Sequence, residues 1–411
     1  MRRTLALVAV LGLLAGCGLS GTAPQLGRDA ASLTGFAKVT TDDTDLGGVR
    51  LGAFSATANR LKSEALAQTP DTLLFAARTG KVSRQLGALS GPVKVTGRFM
   101  VPALAGGMIP GANATVKLLS EGREVASALV AKDGSFVLSA AAGGSGELRF
   151  EFANRYWKLS RYAWQGPKIE TLSGSVDAGT TELDAGKANG QAAFIHEIYN
   201  RALAKFEKEG IALDWWNRTL ETVWPANGNF YSWGTVNLSN AEWWDVNGHE
   251  IGHALHDLGI NGRMGGGQHK IDECYTTNLA WSEGFASFFS AAISIGRDDT
   301  DAKFQYMVPR RAPLRFENMP DDVCGGPTNE WWTTAALWDL YDLNNEKDDQ
   351  VSLEFKQIWR ALAKDNGKKA VGSMVDAYAL IKEQVDADQH AALRRVMAYN
   401  TMPVTTLLAQ Q

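Results

Sequence analysis

The segment Asn247-Gly248-His249-Glu250-Ile251-Gly252-His253-Ala254-Leu255-His256 contains two histidines four residues apart with a glutamate directly after the first. It has no proline and it follows a strand-like stretch, so it reads as a helix. On a helix, positions four apart lie on one face. His249 and His253 can then present their imidazoles to one zinc ion at about 2.0–2.1 Å. Glu250, next to His249, is the residue type that takes a proton from a water held on such an ion.

A catalytic zinc of this kind needs a third protein ligand and an open fourth position. The segment Leu279-Ala280-Trp281-Ser282-Glu283-Gly284-Phe285-Ala286-Ser287-Phe288-Phe289 reads as a second helix with one face in the core. A carboxylate among Trp, Phe and Ala is costly to desolvate unless it is paired or on a metal. Glu283 is therefore the expected third ligand.

His249-Glu250-x-x-His253 followed by a Glu-Gly-Phe-Ala helix resembles the gluzincin zinc metallopeptidases. Trp281-Ser282-Glu283-Gly284-Phe285-Ala286-Ser287-Phe288 is similar to the aminopeptidase N group. The spacing from His253 to Glu283 looks more like the fungalysins. So do Asn329-Glu330-Trp331-Trp332 and Ala336-Leu337-Trp338-Asp339-Leu340. The resemblance spans roughly residues 190–400. It implies a thermolysin-like α+β domain in which Glu250 activates a zinc-bound water to hydrolyse a peptide or protein substrate. Thermolysin and the fungalysins place an Asp four residues after the ligand glutamate, where this chain has Ser287. The carboxylate that orients a ligand histidine must then come from elsewhere, with Glu330 as the candidate and a helix-cap role as its alternative. The Gly-x-Met-Glu-Asn signature that grips a substrate amine is absent, which favours an endopeptidase over an aminopeptidase. Gluzincins stabilise the oxyanion with a Tyr or His, and Tyr275, Tyr341 and Tyr378 are open candidates. A non-catalytic surface-binding lipoprotein with a vestigial zinc site is the reading from a different class.

The remaining histidines carry weaker signals. His256 reads as a neighbour of the motif, because the position six after His253, where metzincins keep a third histidine, is Gly259. His269, in Gly265-Gly266-Gly267-Gln268-His269, reads as bordering the cleft, and His196 and His390 as surface or packing residues.

Toward the N-terminus, Arg2 and Arg3 precede the apolar run Leu5–Leu14. The run is too short to span a bilayer as an ordinary helix and has the form of a signal peptide. Leu14-Ala15-Gly16-Cys17 resembles a bacterial lipobox, which implies lipidation of Cys17 and an exported protein held at a membrane by that anchor alone. In an oxidising compartment the other two cysteines, Cys274 and Cys324, are a candidate disulfide.

Between anchor and motif, residues 18–90 are Gly-, Ala-, Ser- and Thr-rich and read as a spacer, with one helix expected over Ala56–Gln68. Residues 91–186 hold short alternating strands separated by turns such as Lys132-Asp133-Gly134, the pattern of a small β-sandwich. Gly111–Leu118 with Asp133-Gly134-Ser135-Phe136 resembles carboxypeptidase-regulatory or transthyretin-like modules. Lys187-Ala188-Asn189-Gly190 marks a boundary, after which 188–411 forms the metallopeptidase unit. Within it a helix is expected over Ala192–Glu209, strands over Thr219–Trp224 and Asn229–Leu238, and helices after Trp243. Asn229–Leu238 is the candidate edge strand for pairing with an extended peptide.

The 411 residues carry a net charge of -4, and Lys and Arg are dispersed along the chain. Nucleic-acid binding needs a clustered basic surface, so that class of partner is excluded.

Overall fold

A computed structural model describes residues 39–40, 93–170, 172, 174–344 and 350–403. The signal segment with Cys17, nearly all of the spacer, and the helix expected over Ala56–Gln68 lie outside the described residues.

Strand β1 is Val39–Thr40 and β2 is Val93–Pro102. In β2 the period of two is explicit: Val93, Val95, Phe99 and Val101 are buried, while Lys94 and Arg98 are exposed. The next strands are β3 (Met108–Pro110), β4 (Thr115–Ser120), β5 (Arg123–Leu129), β6 (Ser135–Ala140) and β7 (Gly146–Ala153). Two more, β8 (Trp157–Ile169) and β9 (Ser175–Glu182), lie beyond the strands expected from sequence. Their alternation is broken: β8 contains Gly166 and Pro167, and Gly179 in β9 has φ +70° beside a register shift in β2.

Helix α1 is Ala188–Lys208, so the expected boundary at 187–190 is in fact the start of a helix. Strands β10 (Leu220–Val223), β11 (Phe230–Ser232) and β12 (Thr235–Asn237) follow. Then come α2 (Trp244–Gly259), α3 (Thr277–Ser294), β13 (Lys303–Phe304), β14 (Leu314–Arg315), α4 (Glu330–Asp339), α5 (Phe355–Leu362), α6 (Met374–Lys382) and α7 (His390–Tyr399). No helix among the described residues is long and apolar enough to cross a membrane.

Two sheets face each other. The smaller is built on β2, which pairs antiparallel with β3 and β6 and parallel with β9. The larger has eight strands in the order β1-β11-β12-β10-β8-β7-β4-β5. Their aromatic side chains close the gap. Phe99 of β2 stacks on Phe150 of β7 with centroids 4.4 Å apart and meets Trp164 of β8 at 5.6 Å.

The larger sheet runs through the expected boundary near 187. β10, from the C-terminal half, pairs parallel with β8, from the N-terminal half. Helix α1 joins the halves again: Tyr199 stacks on Trp157 of β8 at 5.0 Å, and Phe206 meets Trp359 of α5 at 4.7 Å. Strands on both sides of residue 187 therefore share one sheet.

The stretch Asn229–Leu238 differs from its expectation. It is a hairpin, β11 and β12, turning at Trp233 (φ +51°) and Gly234 (φ +85°). β12 is covered on both sides, by β10 and β11, and β11 itself pairs with β1. Gly234 was the one local sign of a turn inside the stretch, and the pairing of β11 with β1 takes up its outer edge.

Candidate metal centre

Helices α2 and α3 can lie close because glycines stand where they cross. A Cβ at Gly248 would meet Ser290 Oγ at 2.3 Å, and one at Gly252 would meet the Ala286 carbonyl oxygen at 2.8 Å. The four-residue spacing puts both glycines on the α2 face that touches α3. α3 is capped by Thr276, whose hydroxyl accepts from Leu279 N. α4 is capped by Asn329, whose Oδ1 accepts from Trp332 N at 3.0 Å.

His249 and His253 of α2 and Glu283 of α3 converge in this contact and are all buried. The two Nε2 atoms are 2.9 Å apart, and each is 3.0 Å from Glu283 Oε2. The three atoms form a near-equilateral triangle whose corners lie roughly 1.7 Å from its centre, so one ion just off that plane reaches all three at metal–ligand bond lengths of about 2.0–2.2 Å. Two imidazole nitrogens at this distance either share a hydrogen or hold a cation between them. Glu283 Oε1 is buried and without a hydrogen-bond partner among the described residues. These residues could hold a metal ion.

The electrostatics suit metal binding, which needs neutral imidazole and ionised carboxylate. Burial, followed by the neighbouring His253, lowers the His249 pKa to about 4. Burial pushes the Glu283 carboxyl up, but the imidazoles of His253, His269 and His249 pull it further the other way, and it sits well below the usual carboxylate range.

Two neighbours of the triangle depart from the sequence reading. Nδ1 of His249 lies 2.9 Å from Ser287 Oγ, so the serine that replaces the expected aspartate is itself the group that fixes this ring. Glu330, at the first turn of α4, has its Oε2 3.1 Å from Nε2 of His269, which is itself 3.8 Å from Glu283 Oε2. His269 is thus buried beside Glu283 rather than on a cleft rim. Gly-rich sequence has no period from which burial can be read. The available signal was the cysteine pair, because the Cys274–Cys324 disulfide, with Cα atoms 5.6 Å apart, joins the His269 segment to the one leading into Glu330.

Glu250 is fully buried, one residue after His249. His256 is occupied elsewhere: Trp281 Nε1 donates to its Nε2 at 3.0 Å, and burial lowers its pKa to about 3. His196 accepts from Trp157 Nε1 and donates to the Ala112 carbonyl, and His390 bonds the Lys382 carbonyl. Of the three tyrosines, Tyr275 has its ring 6.2 Å from that of His269 and its hydroxyl on Glu273, and Tyr341 accepts from Lys205. Tyr378 is buried on α6, and burial raises its pKa.

No family model and no curated protein matches this chain. Two solved structures show slight similarity. A 9R-lipoxygenase from Cyanothece PCC8801 is 13% identical over 40% of this chain, with a TM-score of 0.17, and the match spans 32% of the lipoxygenase. A 5-hydroxyisourate hydrolase from Klebsiella pneumoniae is 17% identical over 22% of this chain and 90% of its own, with a TM-score of 0.16.

Proposed function

We propose that this chain is a zinc-dependent peptide hydrolase, an endopeptidase with a gluzincin-like catalytic half, exported and held at a membrane by a lipid on Cys17. The observation that carries the reading is the convergence of His249 Nε2, His253 Nε2 and Glu283 Oε2 within 3.0 Å of one another in a buried contact between two helices. Two imidazoles and one carboxylate are a donor set suited to zinc. When bound, zinc supplies a Lewis acid that lowers the pKa of water and polarises a carbonyl.

The chain's own residues supply the rest. Ser287 holds the His249 ring so that Nε2 faces Glu283. Glu250 takes the proton of the attacking water and delivers it to the leaving amine. The helix contact keeps bulk water from the carboxylates, so a charge developing there meets fixed dipoles rather than mobile solvent.

The experiment is metal analysis of the purified protein together with casein digestion, with and without a chelator. Expected are bound zinc, cleavage that the chelator stops, and recovery on adding zinc. Cleavage of N-terminally blocked peptides separates an endopeptidase from an aminopeptidase. A zinc-loaded protein that cleaves neither casein nor peptides is a binding protein, and the hydrolase reading fails.

A further inference from the structure

Asp245, in the first turn of α2, is completely buried. It lies four residues before His249, so the two share one face of the helix. Its side chain is met by backbone N–H groups. Oδ1 accepts from Val246 N at 2.7 Å. Oδ2 accepts from Gln305 N and Tyr306 N, each at 2.7 Å, and from Met307 N at 3.4 Å. Successive N–H groups of this kind form a concave nest for an anion. Hydrogen bonds to an ionised carboxylate are roughly twice as strong as neutral ones, and they offset the cost of burying the charge.

The stretch that Asp245 grips is held against its own preference. Residues 305–308 follow β13 and belong to no helix or strand, so no ladder fixes them. Val308 closes the stretch at φ +49°. That is the left-handed region, where a β-branched residue is a genuine outlier. Such a conformation persists only where the surroundings over-determine it. Arg311 N and Ala312 N donate to the Val308 carbonyl at 2.8 and 3.0 Å on one side, and Asp245 holds 305–307 on the other.

The gripped stretch ends against the candidate metal centre. Met307 is buried, and its Sδ accepts from Ser287 Oγ at 3.8 Å. The same hydroxyl lies 2.9 Å from Nδ1 of His249. A continuous run of contacts therefore leads from Asp245 through the 305–307 backbone and Met307 to Ser287 and His249. Both ends of the run stand on α2, one turn apart, and Ser287 of α3 is its last link.

We infer that Asp245 is a positioning residue for the metal centre: it fixes the 305–307 backbone so that Met307 keeps the Ser287 hydroxyl against the His249 ring. The inference rests on the reading of His249, His253 and Glu283 as a metal site. An anchor that served only the fold would act on metal binding without regard to Ser287, and that difference can be measured.

The test is a double-mutant cycle on zinc affinity. The metal-free full chain, Asp245→Ala, Ser287→Ala and the double variant are titrated with zinc against a chromogenic chelator, with folding checked by circular dichroism. Each single substitution should weaken zinc binding on the order of 10-fold, and the double variant should bind no more weakly than the weaker single one. A loss of about 100-fold in the double variant means that the two residues act independently, and it overturns the inference. Native affinity in either single variant overturns it as well. Should Asp245→Ala fail to fold, Met307→Leu takes its place in the cycle, because it keeps the side-chain volume and removes the sulfur. The same three outcomes then decide. A native chain that binds no zinc removes the proposed function and this inference together, whereas native zinc binding with independent losses removes the inference alone.

Discussion

Ser287 Oγ lies 2.9 Å from Nδ1 of His249, one helical turn after the glutamate whose carboxylate meets the other nitrogen of the same ring. A single face of α3 thus supplies both the candidate ligand oxygen and the hydroxyl that orients the candidate ligand His249 of α2. A hydroxyl adds no charge to a buried site, whereas an aspartate would add another carboxylate beside Glu283. Ser287→Ala removes the hydrogen bond and leaves the ring free to rotate. Metal affinity should weaken on the order of 10-fold, the low end of what such orienting partners contribute. Competition against a chromogenic chelator measures it, and native affinity in the variant would mean that packing alone fixes the ring.

Glu250→Ala separates chemistry from metal binding. The glutamate is not one of the three convergent donors, so the variant should keep its zinc. Hydrolysis should fall by at least about 10²–10⁴-fold, the usual contribution of a positioned general base. Elemental analysis and casein digestion on the same preparation check both halves, and full activity in the variant would remove Glu250 from the mechanism.

How far these residues could be found from sequence depended on whether a local period carried them. His249, Glu250 and His253 lie four apart or adjacent on one helix, and Glu283 stood out as a charge inside an apolar helix. The strands β2, β6 and β7 alternate cleanly and were legible for the same reason, while β4 and β5 were bounded by turn residues. β8 and β9 were not, because Gly166, Pro167 and Gly179 interrupt the alternation. The turn at Trp233-Gly234 carried one local signal, Gly234, inside a stretch that otherwise reads as a strand. The pairing of β8 with β10 joins segments some sixty residues apart (Leu220 opposite Trp157), and no local pattern encodes that contact. His269 and Glu330 meet for a similar reason: two loops are brought together by the disulfide and by Asn329.

Acid should destabilise the metal-free protein through His196. Its neutral tautomer is fully used, with Nδ1 accepting from Trp157 Nε1 at 3.1 Å and Nε2 donating to the Ala112 carbonyl at 2.8 Å. Burial lowers its pKa to about 4 in the folded state, from 6.5. Between these values the unfolded chain takes up a proton that the folded chain refuses, so stability is full above pH 6.5 and declines as the pH falls toward 4. At pH 5 the loss from this histidine is about 2 kcal/mol, at 1.36 kcal/mol per pKa unit. Urea unfolding of the metal-free protein at pH 7 and pH 5 measures the total. His196→Gln, which cannot titrate there, should show a smaller pH-dependent loss by that amount. An identical pH dependence in native and variant proteins would remove His196 as a cause.

Gly252 decides how closely the two ligand-bearing helices approach. Its missing side chain faces the Ala286 backbone, where a Cβ would lie 2.8 Å from the carbonyl oxygen and 3.0 Å from Cα. Neither atom belongs to a flexible side chain, so the contact can be relieved only by moving one helix from the other. Such overpacking typically costs about 1–3 kcal/mol. Gly252→Ala would also gain helix propensity, up to about 1 kcal/mol in an exposed helix, so the sign of the stability change tests which effect wins. We expect the clash to win, because it falls between His249 and His253 and directly opposes the helix that carries Glu283. Separating α2 from α3 by a few tenths of an ångström enlarges the 2.9–3.0 Å triangle from one side only. Metal affinity should then fall together with the urea midpoint. A variant at least as stable as the native protein, with native metal affinity, would show that the helices can part without disturbing the ligands.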